Sequence, residues 1–231
     1  MKHKSVPLFP IPISICNFGK DNHELNKHII DDIFVETHED PQGEVRSNMG
    51  GWHSKGELEK KYDSFVTLRT QIEEQANIYC THHGYKDGLH VDRLWANINE
   101  SGNINMPHHH GASCLTGVYY PVQYIDESGE CYFNYNPNAS LHPGTWNGKD
   151  GGSIVLFDPG YNQKTKLKKN NKPSPYTMST YYTYPTSGLL IIFPSELIHM
   201  VTPFSERQKR LSISFVCDYK WNCLTLIIQI V

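Results

Sequence analysis

Hydrophobic positions change their spacing partway along the chain. In the first third they recur every three or four residues; from about residue 89 they alternate or form short apolar runs. Leu25, Ile29 and Ile33 step by four, behind Asp21 and Glu24 in the spacing of a capping box, and predict a helix over about 22–34. Phe65, Leu68, Ile72, Ala76 and Tyr79 keep to one helical face and predict a second, stronger helix that stops at Gly84. Ahead of both, residues 8–16 alternate, with Ile11, Ile13 and Ile15 on one side. The prolines there confine the stretch to a sheet edge, because Pro donates nothing to a ladder. The polar, Gly-containing segment 36–56 predicts a loop.

Strand signals fill the remainder. Leu89–Asn99 alternates, Leu115–Tyr124 is β-rich, and Ser153–Phe157, Leu189–Phe193 and Leu211–Val216 are apolar runs bounded by Gly, Pro or Asn. The apolar tail, 224–231, predicts a last strand. Two helices followed by six or more short strands predict a mainly β fold, a sandwich or jelly roll with the N-terminal helices packed outside. Residues 134–177 interrupt the pattern with Asn136-Pro137-Asn138, Gly148, Gly151, Gly152 and the lysines 164, 166, 168, 169 and 172. They predict a long loop holding strand 153–157, and such loops serve as lids or mobile segments.

The length of 231 residues suits one domain over 1–231, with 1–88 as helical support, 89–220 as the β core and 134–177 as a loop insertion. Lys and Arg number 21 against 24 Asp and Glu, for a net charge of −3, so no overall field draws the chain to nucleic acid or anionic lipid. The lysine-rich stretch 164–172 lacks interleaved aromatics and reads as a solvated loop rather than a nucleic-acid surface. No apolar run approaches the roughly 18–20 residues of a membrane span. The basic start, broken by Pro7, Pro10 and Pro12, does not read as a secretory signal. Six cysteines form no C-x-x-C pair and read as reduced thiols, which suits a cytoplasmic protein.

Candidate chemistry centres on histidine, of which there are 13. Three are consecutive, His108, His109 and His110. On extended chain His108 and His110 point one way and His109 the other, so the first and third can grip adjacent positions of one metal ion. If the local turn breaks the alternation, His109 takes the place of His110. A polar turn is the plain alternative for the triplet alone. The best third ligand is His199, just after the buried-looking strand 189–193. After ten intervening residues, Arg210-Leu-Ser212 opens another apolar strand, and the Arg fork is a candidate anchor for a carboxylate. Trp52, His53, His142 and Trp146 are candidates for the mouth of such a site, alongside ordinary packing roles.

These pieces resemble the 2-oxoglutarate/Fe(II)-dependent oxygenase superfamily, in particular 2OG-Fe(II) oxygenases of bacteria and marine phages with no characterised substrate. The matching stretches are Phe9-Pro-Ile-Pro, Ser47 through Ser54, Leu94 through Asn99, Asn105 through Tyr120, Gly188 through Val201 and Arg210 through Phe215. The resemblance implies a double-stranded β-helix (jelly roll) and a 2-oxoglutarate-dependent hydroxylase using Fe(II) and O2 and releasing succinate. It implies His108 and His199 as metal ligands and Arg210 with Ser212 on the 5-carboxylate of 2-oxoglutarate. Tyr120 falls where related enzymes place a tyrosine on that carboxylate, and Asn97 and Asn99 share the face of Trp95 and line the same cavity. An infected host cell is then the setting if the gene is phage-borne.

One departure stands out. The superfamily usually has a carboxylate where this chain has His110, and no Asp or Glu lies between Glu100 and Asp126. Three neutral imidazoles leave the full 2+ charge on the metal and suit Zn, Cu, Ni or Fe. Two other readings follow from the same residues. A cupin-type metal enzyme fits Gly102, His108, His110, Gly188, Pro194 and His199, but not Cys114, Leu115 or Glu196, and it has no use for Arg210. A non-catalytic jelly-roll binding module would make the histidines structural. Substrates from small molecules to protein side chains stay open.

Overall fold

The computed structural model describes residues 10–143, 152–160, 178–203 and 207–220. Within them the chain forms β1 (Ser14–Asn17), α1 (His23–Glu39), β2 (Asn48–Met49), β3 (Trp52–His53), α2 (Asp63–His82), β4 (Leu89–Asn99), β5 (Ile104–His108), β6 (Leu115–Tyr120), β7 (Tyr124–Asp126) and β8 (Cys131–Tyr132). It continues with β9 (His142–Pro143), β10 (Ile154–Phe157), β11 (Thr180–Thr183), β12 (Leu189–Pro194), β13 (His199–Val201) and β14 (Gln208–Tyr219). Two antiparallel sheets result. The major one runs β1-β12-β6-β14-β4-β3, with β7 and β8 added at the end of β14; the minor one runs β2-β5-β13-β10-β11-β9.

The major sheet is a boundary between two environments, and its period of two explains why. On one face, Leu94, Ala96 and Ile98 of β4, Leu211, Ile213 and Phe215 of β14, and Leu190 and Ile192 of β12 pack against Ile29 and Ile33 of α1 and Leu68, Ile72 and Ala76 of α2. On the other, Val118, Tyr120, Leu189, Ile191 and Phe193 meet Ile154 and Leu156 of the minor sheet. The polar members of β4 and β14 alternate with the apolar ones and look into the space between the sheets. This is the jelly roll with external helices that the sequence predicts.

Helix α2 matches its prediction, with Phe65, Leu68, Ile72, Ala76 and Tyr79 buried. Its end is a Schellman motif: Tyr85 N–H donates to the Cys80 carbonyl and Gly84 N–H to that of Thr81, with Gly84 left-handed at φ 76°. Helix α1 differs at both ends. The expected capping box is absent; a 3-10 turn precedes the helix and Asn22 is the N-cap without a side-chain bond to it. The Asn22 amide is used elsewhere, on Gln71 and the Tyr119 hydroxyl, while Glu24 pairs with Lys27 at the surface. At its C-terminus α1 runs on past residue 34, because Lys61 and Tyr62 satisfy the buried Glu36 carboxylate.

The 36–56 segment is likewise more ordered than a loop. Residues 48–49 join the minor sheet and 52–53 the major sheet, and Gly50 and Gly51 carry the chain between them at φ 72° and 70°. The edge strand predicted over 8–16 shortens to Ser14–Asn17, which pairs with β12. β5 and β13 carry no clear sequence signal, because they are short and Pro107 interrupts one of them. The tail 224–231, the lysines 164–172 and Trp146 lie outside the described residues.

Sheet packing leaves no room at Gly117 of β6. A Cβ there would meet the Ile191 carbonyl oxygen at 2.1 Å and the Phe215 ring at 2.4 Å. Gly117→Ala is therefore expected to lower unfolding stability by about 1–3 kcal/mol through forced overpacking, read from urea midpoints at unchanged slope.

Candidate active site

His108 ends β5 and His199 opens β13, and the two are direct partners in the antiparallel register. Their rings lie 4.3 Å apart, centroid to centroid. The ladder is irregular just beyond this pair, next to Pro107, which has no N–H to give. His199 was expected just after the strand 189–193; it begins a strand of its own, after the tight turn at 195–198. His110 sits in the turn after β5, where its N–H donates to the Ser195 carbonyl at 2.8 Å. That bond docks one turn on the other and brings the His110 ring to 5.1 Å from His108 and 5.2 Å from His199. His109 points away: its side chain is 54% exposed and 3.9 Å from Glu196.

Each of the three histidines offers a ring nitrogen, and these nitrogens lie within 4.8 Å of one another. For two of them the tautomer follows from the backbone. Nδ1 of His108 is 2.6 Å from the Met106 carbonyl and Nδ1 of His199 is 2.9 Å from that of Leu197. A carbonyl only accepts, so each Nδ1 carries the proton and Nε2 keeps its lone pair for a metal. Burial, then the neighbouring imidazoles, depress the pKa of His199 to about 3 and that of His110 to about 4, and burial lowers His108 too. All three are neutral donors at pH 7, so the set fits a divalent ion. Among the described residues no carboxylate joins them.

The same cavity, about 690 Å3, reaches Arg210 and Ser212 of β14. Arg210 is 4% exposed. Its Nε donates to the Gly152 carbonyl at 2.7 Å, one terminal nitrogen to the Ser212 hydroxyl at 2.8 Å and Asn99 Oδ1 at 3.3 Å, and the other to the Tyr120 hydroxyl at 2.8 Å. Among the described residues no carboxylate balances this buried charge. Burial raises the Tyr120 pKa, so its hydroxyl keeps a proton to donate onward. Asn99 and Tyr120 meet Arg210 from behind, and neither is among the residues that line the cavity, where Asn99 was expected. Asn97 lines the cavity and donates to Ser214.

The candidates for the mouth divide. His53 lines the cavity, stacked on Trp95 at 5.8 Å. Trp52 instead packs against the helical core and donates to the Asp40 carbonyl. His142 sits on exposed β9 beside Tyr182, away from the cavity residues. Sequence reasoning missed Gly152 and Asn105. Gly152 looked like one glycine of a loop, yet it supplies the carbonyl for Arg210, and a Cβ there would strike the Arg210 side chain at 2.7 Å. Asn105, which opens one of the matching stretches, links Asn99 to Ser47.

Residues 93–216 match the family model described as "Putative 2OG-Fe(II) oxygenase". The chain belongs to this family. The match contains all three histidines, Arg210 and Ser212, and membership selects the oxygenase over the cupin and binding-module alternatives. As a 2OG-Fe(II) oxygenase the protein uses Fe(II), 2-oxoglutarate and O2. No curated protein matches by sequence. Solved structures share the fold at low identity. A prolyl-4-hydroxylase from Pseudomonas putida is 13% identical over 91% of this chain and 94% of its own, with a TM-score of 0.57. The epimerase SnoN, solved with Fe3+, alpha-ketoglutarate and nogalamycin RO, is 14% identical over 90% of this chain and 79% of its own, at 0.57. HygX from Streptomyces hygroscopicus, solved with nickel and 2-oxoglutarate, is 9% identical over 91% and 84%, at 0.52.

The depressed imidazoles set a pH dependence. Unfolded histidine titrates near 6.5, whereas folded His199 and His110 titrate near 3 and 4. Between those values the unfolded chain binds more protons, so folding stability falls as pH is lowered from about 6.5 toward 4. In metal-free protein, His199→Gln is expected to show a shallower decline than the parent across that window in urea midpoints.

Proposed function

We propose that His108, His110 and His199 hold the Fe(II) ion and that Arg210, Ser212 and Tyr120 hold the distal carboxylate of 2-oxoglutarate. The single observation behind this is a buried arginine with no carboxylate partner among the described residues, in one cavity with three neutral imidazoles. A buried guanidinium without a counter-anion is costly, and a dicarboxylate ligand removes that cost. The domain reading is the one from sequence: a single unit, with 1–88 supporting a core over 89–220. The oxygenase acts as a hydroxylase. A cytoplasmic setting is supported by the free thiols of the five cysteines among the described residues, Cys16, Cys80, Cys114, Cys131 and Cys217.

When bound, the metal and 2-oxoglutarate supply O2 activation, with loss of CO2 to leave succinate and transfer of one oxygen atom to the substrate. The chain's own residues prepare this. The carbonyls of Met106 and Leu197 hold two imidazoles in the ligating tautomer. Gly152 and Asn99 fix the plane of the Arg210 fork, so little side-chain freedom is lost when a carboxylate arrives. Ser212 and Tyr120 present hydroxyls to the same anion. Val118, Ile154 and Phe193 form an apolar wall that excludes water from the reacting atoms. Three imidazoles bring no charge, so Fe(II) is held with its full 2+ and other divalent ions compete.

Binding of 2-oxoglutarate to Fe(II)-loaded protein and succinate formation with O2 and ascorbate test the reading. Arg210→Ala is expected to weaken 2-oxoglutarate binding by at least about ten-fold, the scale of one charge-assisted pair. His199→Ala is expected to weaken metal binding by about 100-fold or more, since loss of an outer partner alone costs 10–100-fold. Undiminished 2-oxoglutarate binding by the Arg210 variant would sink the assignment.

A further inference from the structure

At the mouth of the cavity lie two more arginines that neither metal nor 2-oxoglutarate needs, Arg46 and Arg93. They share a single carboxylate. Oε2 of Glu44 accepts from Arg46 Nε at 2.8 Å and from Arg93 at 3.1 Å. Among the described residues each guanidinium makes only that one side-chain hydrogen bond, which leaves most of their donors without a side-chain partner. Arg93 also lies over the Trp95 ring, 5.6 Å from its centre, and the far side of the mouth from Arg93 is reached through Trp95, whose ring is 5.7 Å from that of His110. A β-bulge produces this placement. Val91 faces Cys217 and Arg93 faces Val216, so Asp92 is an extra residue in β4. It shifts the phase of the strand, which lets Leu89 and Val91 join Leu94, Ala96 and Ile98 on the core face and turns Arg93 and Trp95 together toward the cavity.

Among the described residues Arg46 and Arg93 share Glu44 alone, so this cluster of three carries 2 − 1 = +1.

We propose that the substrate of this oxygenase carries an oxyanion, a carboxylate or a phosphate, which Arg93 and Arg46 bind at the cavity mouth. The inference rests on the oxygenase reading of the same cavity. Glu44 pre-orders the two forks, and the Trp95 indole sets the spacing between the anion and the histidine cluster. The carbon to be oxidised is therefore separated from the anion by about the breadth of an indole, which excludes the smallest acids and favours a substrate with an apolar spacer. His53, stacked on Trp95, also lines the cavity.

The test uses full-length protein loaded with Ni(II) and 2-oxoglutarate, so that no turnover intervenes. Binding is read by saturation-transfer NMR for matched pairs: 3-phenylpropanoate against its amide, N-acetylphenylalanine against its amide, and phenyl phosphate against phenol. The acids are expected to bind more tightly than their neutral partners, with the preference falling as salt is raised. Arg93→Gln and Arg46→Gln should each reduce it by about three- to ten-fold, the range for partly exposed pairs, and Arg93→Lys should restore part of it. Unchanged thermal midpoints exclude misfolding. Preference for phenyl phosphate over the carboxylates would identify phosphate as the source of the anion. Equal binding of acids and neutrals, or no acid binding at all, overturns the proposal. The parent's 2-oxoglutarate affinity is measured in the same samples: its loss removes the oxygenase reading itself, whereas intact affinity without acid preference removes only this inference.

Discussion

Everything at this site depends on a strict separation of the two faces of the major sheet, enforced by the antiparallel pairing of β14 with β4 on one side and β6 on the other. Leu211, Ile213 and Phe215 are fully buried against the helices, while Arg210 and Ser212 open to the cavity. A slip of one residue would drive Arg210 into the helical core and Leu211 into the cofactor site, so the apolar burial that stabilises the domain also holds the anion anchor in register. Gly117 belongs to the same constraint, since its missing side chain leaves room for the Phe215 ring against β6.

Electrostatics then explains why the site suits a charged ligand. Burial penalises protonation of the three histidines, which keeps them as neutral donors. Arg210 is buried in the same cavity. Its neighbours are all neutral acceptors, Gly152, Asn99, Ser212 and Tyr120, which orient the guanidinium without discharging it. The arrangement keeps an uncompensated positive charge ready for a dicarboxylate.

Much of this was legible beforehand for stated reasons. α2 shows a full helical stripe with a glycine stop, and β4 begins and ends at the residues its alternation marks, Leu89 and Asn99. His108 and His110 were legible as a pair because i and i+2 share a face on extended chain, although His110 proves to sit in a turn whose bond to Ser195 produces the same outcome. The failures also have causes. The capping box of α1 lost to a tertiary use of Asn22. The bulge at Asp92 left its trace as a phase break between Val91 and Leu94, easily taken for simple alternation. β2, β3 and β13 are too short to develop a period at all.

Sequence alone determined the chemistry available to this protein: three histidines in ligand spacing, an arginine eleven positions after the last of them, a β-rich core and no Asp or Glu between Glu100 and Asp126. Residue identity and short-range periodicity are written locally, so a local reading recovers them. Tertiary structure alone decided that His108 faces His199 across β5 and β13, that Gly152 and Asn99 aim Arg210, and that Arg46 and Arg93 converge on Glu44 at the mouth. Those facts depend on which strands pair and in what register, and pairing over a hundred residues of separation is set by the burial of the whole sheet rather than by any segment of it.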